Sequence, residues 1–470
     1  MSSYSLHVSH EAFTQAAKAR LFWVSVLALL SAGMMFAIRT SIIKDLDHDL
    51  FASAAGEKLG GAVGLAFLGF AVSIILSSPL LDSLGMGKLL GLSAFLMTVG
   101  IVMVIFVQSF DQSIGILSAL SASLFVFGLG WGLVESVINP LIATIYADDK
   151  TRKLNNLHAW WPAGLILGGL LGNFAHELHL TWRTQLAIPL LPTVMFGIAA
   201  VTMRFPATER KAAGVSGREM FQQLANPLFL IIFLCMFLTA SSELAPGQWV
   251  DFALSQAAHM HGILLLVYVS ALMFVMRHFA GPIAHKLSPI GLLWFSAVLA
   301  CAGLWLLSRA SSPTTAIGAA TVWGTGVCFM WPTMLAMTSE RFPRGGSLLL
   351  GLMGAAGMGS VFVVLPLLGK VYDNYLTISA TNHGYLSVAA LKALANAGNK
   401  AANASLIAAQ INAGRHEFHA NAIIPAVLIV VFAGIWLYDR SQGGYKAVKL
   451  ADDTSELTES PEAEKSTASF

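Results

Sequence analysis

Charged residues are scarce in this chain of 470 residues. They form 11% of the sequence and hydrophobic residues form 56%, whereas soluble domains carry roughly 25% charged residues. The mean hydropathy is +0.71. So little charge cannot cover the surface of a water-soluble protein of this length, which excludes a soluble enzyme or binding domain. The composition instead indicates a protein whose surface faces lipid.

Other chemical features are also missing. The three cysteines, Cys235, Cys301 and Cys328, lie in apolar segments, so no disulfide framework is predicted. The sequence contains neither a G-x-x-x-x-G-K-[ST] phosphate loop nor an H-E-x-x-H zinc site, which argues against ATP hydrolysis and metalloprotease activity. The net charge of +2 is spread along the edges of apolar segments, so no nucleic-acid partner is indicated. We predict no cofactor, no metal and no enzymatic activity.

Long apolar segments are abundant. About 20 apolar residues span the hydrocarbon core of a bilayer as a helix. Twelve such segments are predicted, at about 21–43, 61–81, 88–107, 114–146, 157–176, 184–203, 228–250, 262–281, 289–308, 315–338, 347–369 and 421–438. The sequence therefore predicts an all-α membrane protein with twelve transmembrane helices.

The basic residues orient these helices. With the N-terminus inside, 17 of the 27 Lys and Arg residues lie in cytoplasmic segments, eight lie outside, and Arg39 and Arg277 fall within helices. Cytoplasmic loops are enriched in Lys and Arg. We therefore predict that both termini are cytoplasmic. We also predict that the protein lies as a monomer in the lipid bilayer of the plasma (inner) membrane.

One long polar connection, 204–226, divides the predicted helices into six and six. The predicted domains are an N-terminal bundle 1–203, this cytoplasmic linker, and a C-terminal bundle 227–438 followed by a disordered tail 439–470. An extended outer loop, 370–420, contains an Ala-rich stretch that favours one or two short helices outside the membrane. That loop is either a passive insertion or a lid.

A repeated pattern supports the division into two bundles. Trp-Gly followed eight residues later by Pro occurs twice, 192 residues apart, as Trp131-Gly132 with Pro140 and as Trp323-Gly324 with Pro332. The first copy contains Glu135 and Asn139 where the second has Val327 and Trp331. Transporters are commonly built from duplicated bundles, with the substrate site near the midplane between them. The repeat therefore predicts that segments 4 and 10 are counterparts.

The connection between segments 2 and 3 resembles that of the major facilitator superfamily, whose loop reads G-x-x-x-D-x-x-G-[RK]-[RK]. Asp82, Gly85 and Lys88 match it, and Ser78 stands where Gly is usual. This resemblance implies two six-helix bundles that expose a central site to each side of the membrane in turn.

A narrower resemblance covers 30 to 40 residues. Glu135 to Pro140, then Arg152 to Asn155, and Gly164 are similar to the E-x-x-x-N-P, R-x-L-N and glycine-rich segments of the fucose:proton symporter family. The chain departs from that family at Arg39-Thr40, where a carboxylate is expected, and at His158 and Trp161, where amides are expected. The resemblance implies import of a sugar together with a cation, H⁺ or Na⁺.

Glu135 is the predicted proton-coupling residue. A carboxylate within an apolar helix is expensive and marks an ion pathway by default, and burial favours its protonated form. Asn139 lies one turn further on the same helix face, where it can bind the acid or a substrate hydroxyl. The alternative roles are structural, with Glu135 a permanently protonated packing residue and Asn139 packed at the break made by Pro140.

Arg39 and Glu243 are candidates for a charge pair that closes the outer side, because both lie towards the outer halves of corresponding segments. Alternatively, each lies separately in the central cavity or reaches towards water. Arg39 also supports a rival function, in which the substrate is an organic acid or sugar phosphate or the protein is an efflux antiporter, because Arg binds such anions in bidentate fashion. Arg277 is predicted to form a structural charge pair.

Aromatic and amide side chains complete the predicted substrate site. Sugars place C–H faces on aromatic rings and hydroxyls on amides or carboxylates. The predicted substrate-binding residues are Asn139, Gln248, Trp131, Trp331, His158 and Trp161. Interfacial belts and packing are the alternative role for each Trp. Gly164, Gly168 and Gly172 are predicted to form a small-residue face for close helix packing.

Overall fold

The computed structural model describes residues 13–51, 56–258 and 262–450, without the side chains of 44, 56–60, 247–258, 262–264 and 266. Helices account for most of this part of the chain, which contains no strand. The N-terminal six are α1 (Gln15–Phe51), α2 (Gly56–Ser77), α3 (Met86–Ile105), α4 (Ile116–Ile145), α5 in two parts (Lys150–His158 and Trp160–Glu177) and α6 in two parts (Trp182–Ala187 and Leu190–Thr202). The C-terminal six are α7 (Pro227–Ala258), α8 (Gly262–Arg277), α9 (Ala280–Leu307), α10 in two parts (Pro313–Val327 and Met330–Arg341), α11 (Gly346–Asn382) and α12 (Lys400–Ser441).

Nine segments of the described residues are long and apolar enough to cross a membrane. The three helices outside this group are α5, α8 and α10. α5 is rich in glycine, α10 is broken between Val327 and Met330, and α8 contributes only the shorter apolar helix Val267–Arg277. Together the helices form the predicted two six-helix bundles.

The Trp-Gly repeat occupies equivalent places in the two bundles. A Cβ on Gly132 of α4 would meet the backbone of Phe70 on α2, and a Cβ on Gly324 of α10 would meet Val269 on α8. Because α2 and α8 hold the same position in their bundles, α4 and α10 are counterparts, as the sequence predicts. Glycine is needed at Gly132 because the backbone of α2 already lies within van der Waals contact.

The glycines of α5 form the predicted packing face. A Cβ on Gly164 would lie 2.5 Å from the carbonyl oxygen of Leu30 on α1, and one on Gly168 would lie 2.6 Å from that of Met34. Only hydrogen fits at such separations, so the glycines allow the backbones of α1 and α5 to touch.

The region 370–420 differs from the predicted outer loop. α11 continues to Asn382, α12 begins at Lys400, and one short helix, Val388–Asn396, joins them. At 1.5 Å per residue α11 and α12 are about 55 Å and 63 Å long, well beyond a hydrocarbon core of about 30 Å. Ala-rich faces let the two helices pack closely outside that core, where Ala409 and Ala413 are buried against Tyr372 and Leu376.

The first residues of the predicted disordered tail, 439–450, are ordered. Residues 442–450 pack against one end of the bundles, where the backbone N–H of Val448 donates to the carbonyl of Glu340 at 2.8 Å and Leu450 is buried. The Tyr445 hydroxyl donates to the carboxylate of Glu340 at 2.6 Å. We call residues 442–450 the C-terminal segment; residues 451–470 lie outside the described residues.

Candidate functional site

A buried chain of hydrogen bonds begins at Glu135, in the middle of α4. The Asn139 side-chain NH₂ donates to Glu135 Oε2 at 2.7 Å. The amide oxygen of Asn139 lies 2.8 Å from Nε2 of His158 on α5, so that nitrogen is the donor. All three side chains are buried. The structure therefore brings together three residues that the sequence places in two different helices.

Arg277 at the end of α8 continues this chain into the second bundle. Its Nη1 donates to the backbone carbonyl of His158 at 2.7 Å, and its Nε donates to the carbonyl of Cys328 at 2.5 Å. Its Nη2 pairs with Glu243 Oε1 at 2.9 Å. The guanidinium thus joins α5, α7 and α10 while it is itself only 2% exposed.

Prolines explain why both carbonyls are free to accept from Arg277. His158 and Cys328 each lie four residues before a proline, Pro162 and Pro332. A proline has no N–H, so the carbonyl four residues earlier loses its helical hydrogen bond. Without Arg277 these two buried carbonyls would lose the hydrogen bonds that replace the helical ones, which costs roughly 1–3 kcal/mol for each group.

The expected charge pair between Arg39 and Glu243 is absent from the described residues, and this expectation is corrected. Glu243 pairs with Arg277, because that long side chain reaches from the end of α8 to the middle of α7. Arg39 instead lies against two rings of its own bundle, 4.8 Å from the centroid of Phe36 and 5.7 Å from that of Phe67. Arg277, predicted to form a structural charge pair, pairs with Glu243 and also links the two bundles through the carbonyl of His158.

An aromatic cluster adjoins Glu135 on α4. Trp131 and Trp161 are stacked with ring centroids 5.3 Å apart and an angle of 5° between their planes. Phe36 contacts Trp161, and Phe67 contacts Trp131. These phenylalanines are the rings that hold Arg39. The cluster therefore joins a cation and two indoles within the first bundle, one helical turn of α4 from Glu135.

Two predicted site residues, Trp331 and Gln248, are not among the contacts described above. Trp331 is buried in the second bundle, where its ring fills the place of a Cβ on Gly357, beside Met236. It packs against α7 and α11 and forms no ring contact with the aromatic cluster of the described residues. Gln248 lies outside the residues whose side chains the structure describes.

Several polar atoms of this region have no hydrogen-bond partner among the described residues. They are Nε1 of Trp131, Oε2 of Glu243 and Oδ1 of Asn155, all of them buried. Buried polar groups are almost always paired. One indole donor and two oxygen acceptors therefore remain for a polar ligand.

The motif residues of the loop between α2 and α3 contact the linker. Asp82 forms an ion pair with Arg210 and accepts from the Thr208 hydroxyl at 2.5 Å. Gly85 has a φ of +87°, a conformation that strongly favours glycine. Lys88 is exposed. Asp82 and Gly85 thus shape and anchor the loop, whereas Lys88 faces outwards.

Hydrogen bonds between the bundles lie at one end of the molecule. We call this end the basic face, and it comprises the Asp82 loop, residues 146–158, the linker 204–226 and residues 341–347. Within the described part of the chain, every hydrogen bond between the bundles connects residues 78 and 148–158 with residues 277, 333–347 and 449. The Thr151 hydroxyl donates to Glu340 at 2.7 Å, and the Ser347 hydroxyl donates to the Ser78 carbonyl at 2.7 Å. The structure is therefore closed at the basic face.

The family model of the Major Facilitator Superfamily matches residues 21–366. The chain belongs to this superfamily. It is a multi-pass membrane transporter and not an enzyme. No curated protein matches the chain in sequence.

Solved structures of transporters share the fold. The chain is similar to the transporter FucP in the outward conformation, with a TM-score of 0.64 and 14% identity over 88% of this chain and 97% of that one; FucP is the E. coli fucose:proton symporter. The proton:xylose symporter XylE of E. coli gives 0.65 and 15% over 89% and 96% when bound to 6-bromo-6-deoxy-D-glucose. The human organic anion transporter MFSD10 gives 0.65 and 12% over 88% and 99%.

Proposed function

We propose that this transporter imports a sugar or a similar neutral polar solute by symport with H⁺, through alternating exposure of a central site. The observation that carries the proposal is the buried hydrogen-bond chain from Glu135 to Arg277, because it links an acid in one bundle to the charge pair of the other. In this proposal the basic face, which carries both ends of the described chain, is cytoplasmic and the membrane is the plasma (inner) membrane. The structure then represents an outward-facing state.

The two acids of the site, Glu135 and Glu243, differ in their partners. Glu243 is paired with a guanidinium, which stabilises its carboxylate. Glu135 has only the neutral amide of Asn139 as a hydrogen-bond partner in the described chain. An unpaired buried carboxylate is costly, so Glu135 is the acid that takes up and releases the proton, and Glu243 stays ionised.

Movement of the bundles would couple this proton to the substrate. When the basic face opens, α5 and α8 separate, and Arg277 loses the carbonyl of His158. The same movement changes the surroundings of the Asn139 amide and hence of Glu135. Proton binding at Glu135 thereby favours one of the two arrangements, which is the energetic requirement for coupling.

The substrate proposal depends on the chemistry around the acid. The partly exposed ring of Trp161 offers a face to the C–H groups of a sugar, and Trp131 Nε1 and Glu243 Oε2 offer one donor and one acceptor. A site with paired donors and acceptors rejects solutes that lack hydroxyls, because its buried polar groups would stay unpaired. Structural similarity to two sugar:proton symporters supports the same class.

Transport of an anion is the second candidate function. Arg39 adjoins the aromatic cluster and forms no ion pair among the described residues, so its charge could bind an organic acid or a sugar phosphate. The similarity to an organic anion transporter agrees with this alternative.

Uptake by proteoliposomes distinguishes the two functions. Purified protein is reconstituted, and accumulation of labelled neutral sugars and of labelled organic acids is measured with and without an inward proton gradient. We expect gradient-driven accumulation of a neutral sugar, and we expect Arg39→Gln to retain part of it. Accumulation of anions alone, abolished by Arg39→Gln, would establish the second function instead.

A further inference from the structure

α12 carries a buried acid and a buried amide that the proposed mechanism does not use. Glu417 and Asn421 lie four residues apart on one helix face, and both are 0% exposed. Both carboxylate oxygens of Glu417 and both amide atoms of Asn421 lack a hydrogen-bond partner among the described residues. Because buried polar atoms are almost always paired, four such atoms within one helical turn point to a missing ligand.

Proline adds a further acceptor to this turn. Pro425 lies four residues after Asn421 inside α12, so the backbone carbonyl of Asn421 receives no hydrogen bond from position 425. The adjacent carbonyl of Ala422 accepts from the thiol of Cys301 on α9, at 3.5 Å. The turn therefore combines carboxylate, amide and backbone oxygens.

No cation of the described residues neutralises Glu417. The ionisable groups on the helices around this level are Glu243 of α7, Cys301 of α9, Lys370, Tyr372, Asp373 and Tyr375 of α11, and Arg415, His416 and His419 of α12. His416 stacks on Tyr375, with ring centroids 3.6 Å apart, and Lys370 and Arg415 are exposed. Glu417 forms no ion pair within the described part of the chain. Around Ala420 and Ile424 of the same helix, α7 and α11 contribute the apolar residues Ala245, Val364 and Leu368.

We propose that Glu417 and Asn421 form a binding site for one monovalent cation, H⁺ or Na⁺, in the second bundle. A proton would sit on one carboxylate oxygen, and the resulting O–H would donate to an amide or backbone oxygen of Asn421. A sodium ion would instead be bound by the carboxylate, the amide oxygen and the free backbone carbonyl. Either cation removes the uncompensated charge that an ionised Glu417 would leave in an apolar surrounding.

This site is separate from the coupling residue proposed above. Glu135 lies on α4 of the first bundle, whereas Glu417 lies buried on α12 of the second. A cation bound here stabilises the folded second bundle, because it binds the folded chain and not the unfolded one.

The test uses the midpoint of thermal unfolding of the purified full-length protein in detergent. Sodium is varied against choline at constant ionic strength, and pH is varied separately from about 5 to 9, a range that lies above the ordinary carboxyl pKa. The variants are wild type, Glu417→Gln and the matched control Asp373→Asn, which removes an exposed acid on the neighbouring α11. Glu135→Gln is included so that failure of the coupling proposal is seen separately.

A sodium site predicts that the midpoint rises with Na⁺ in wild type, in Asp373→Asn and in Glu135→Gln, but not in Glu417→Gln. A proton site predicts no response to Na⁺ and a midpoint that falls as pH rises. The fall occurs because the folded protein then holds a proton that the unfolded chain has lost. Glu417→Gln should remove the part of the fall that Glu417 causes, while the part caused by Glu135 remains. Asn421→Ala keeps the acid and should move either dependence to about tenfold higher cation concentration.

Equal responses of wild type and Glu417→Gln to both Na⁺ and pH would overturn the proposal. If Glu417→Gln does not fold, Asn421→Ala decides the question, because an unchanged cation dependence in that variant also overturns it.

Discussion

At the scale of single residues, polar side chains of this protein donate hydrogen bonds to backbone carbonyls that prolines leave without a helical partner. Pro162 and Pro332 release the carbonyls of His158 and Cys328, and Arg277 binds both. Pro246 has the same effect on Ser242, whose carbonyl accepts from Trp323 Nε1 at 3.1 Å. Prolines in these helices therefore supply acceptors at defined places.

Restoring one backbone N–H tests this role. In Pro332→Ala the N–H of residue 332 competes with Arg277 for the carbonyl of Cys328, so α10 should hold the Arg277 side chain less firmly. We expect transport to fall about tenfold, which corresponds to a loss of about 1.4 kcal/mol. Pro366→Ala in α11 is the control, because the residue four positions earlier, Phe362, is 71% exposed. Equal transport rates of the two variants would contradict the role.

The residue scale also shows where the sequence is informative. One group of site residues could be predicted from sequence, because a buried acid and amide are costly unless they bind something and aromatic residues lie near them. The group is Glu135, Asn139, His158, Trp131 and Trp161. The partner of Glu243 could not be predicted, since a helix position does not reveal how far a long Arg side chain reaches.

The pair Glu417 and Asn421 was missed for a different reason. Its E-x-x-x-N spacing is the same as that of Glu135 and Asn139, and this was the available signal. The polar, Ala-rich sequence before residue 421 predicts an outer loop, however, and such a loop would leave Glu417 exposed. Only the packing of α11 against α12 shows that the acid is buried.

At the scale of helices, glycine spacing determines how closely α1 and α5 approach. Gly168→Ala would place a methyl group against the carbonyl of Met34, so we expect a loss of about 1–3 kcal/mol in the free energy of unfolding. Gly169→Ala is the matched control, because a Cβ there meets no atom within 4 Å. Thermal unfolding in detergent measures both. A loss as large in Gly169→Ala would show that close packing is not the cause.

Also at the scale of elements, the C-terminal segment contacts both bundles. Burial, with the neighbouring Glu340, raises the pKa of Tyr445 well above its usual range, so the hydroxyl stays a donor. Lys449 pairs with Asp148 of the first bundle at 3.1 Å, and the segment therefore holds both bundles at the basic face.

Removing one hydroxyl should loosen this segment. Tyr445→Phe loses a hydrogen bond to Glu340, which contributes about 1 kcal/mol, so undocking should become about fivefold more frequent. The measurement is the labelling rate of a cysteine introduced by Leu450→Cys, a buried position, relative to the unfolded protein. Tyr438→Phe, at an exposed tyrosine, is the control. Because the pKa of Tyr445 is raised, docking should not change below about pH 10 and should weaken above it. Labelling that is equal in all backgrounds would contradict the prediction.

At the scale of the whole molecule, the contacts at the basic face predict that opening this face is required for transport. Ser78→Cys with Ser347→Cys places two thiols where a hydroxyl now donates to a backbone carbonyl at 2.7 Å. Oxidation should cross-link the bundles and abolish uptake, and a reductant should restore it. Each single variant is a control, and uptake that survives complete cross-linking would show that the bundles do not separate there.

The architecture itself could be predicted from sequence. Twelve apolar segments, one polar linker and the Trp-Gly repeat are sufficient for two bundles, because each feature has a simple physical cause in lipid. Helix ends beyond the membrane could not be predicted, since α11 and α12 continue outside it through Ala-rich packing and not through hydrophobic length. The docking of residues 442–450 could not be predicted from sequence either, because it depends on a few long-range contacts.

The most direct test of the proposed mechanism measures proton-driven accumulation of the substrate by the Glu135→Gln variant. Glu177→Gln is a matched control, because Glu177 also accepts from an Asn four residues away, at 3.1 Å, but is exposed. In proteoliposomes with an inward proton gradient, we expect wild type and Glu177→Gln to concentrate the substrate. Glu135→Gln should exchange labelled for unlabelled substrate at a comparable rate without concentrating it. Undiminished accumulation by Glu135→Gln would contradict the assignment of the coupling proton to this residue.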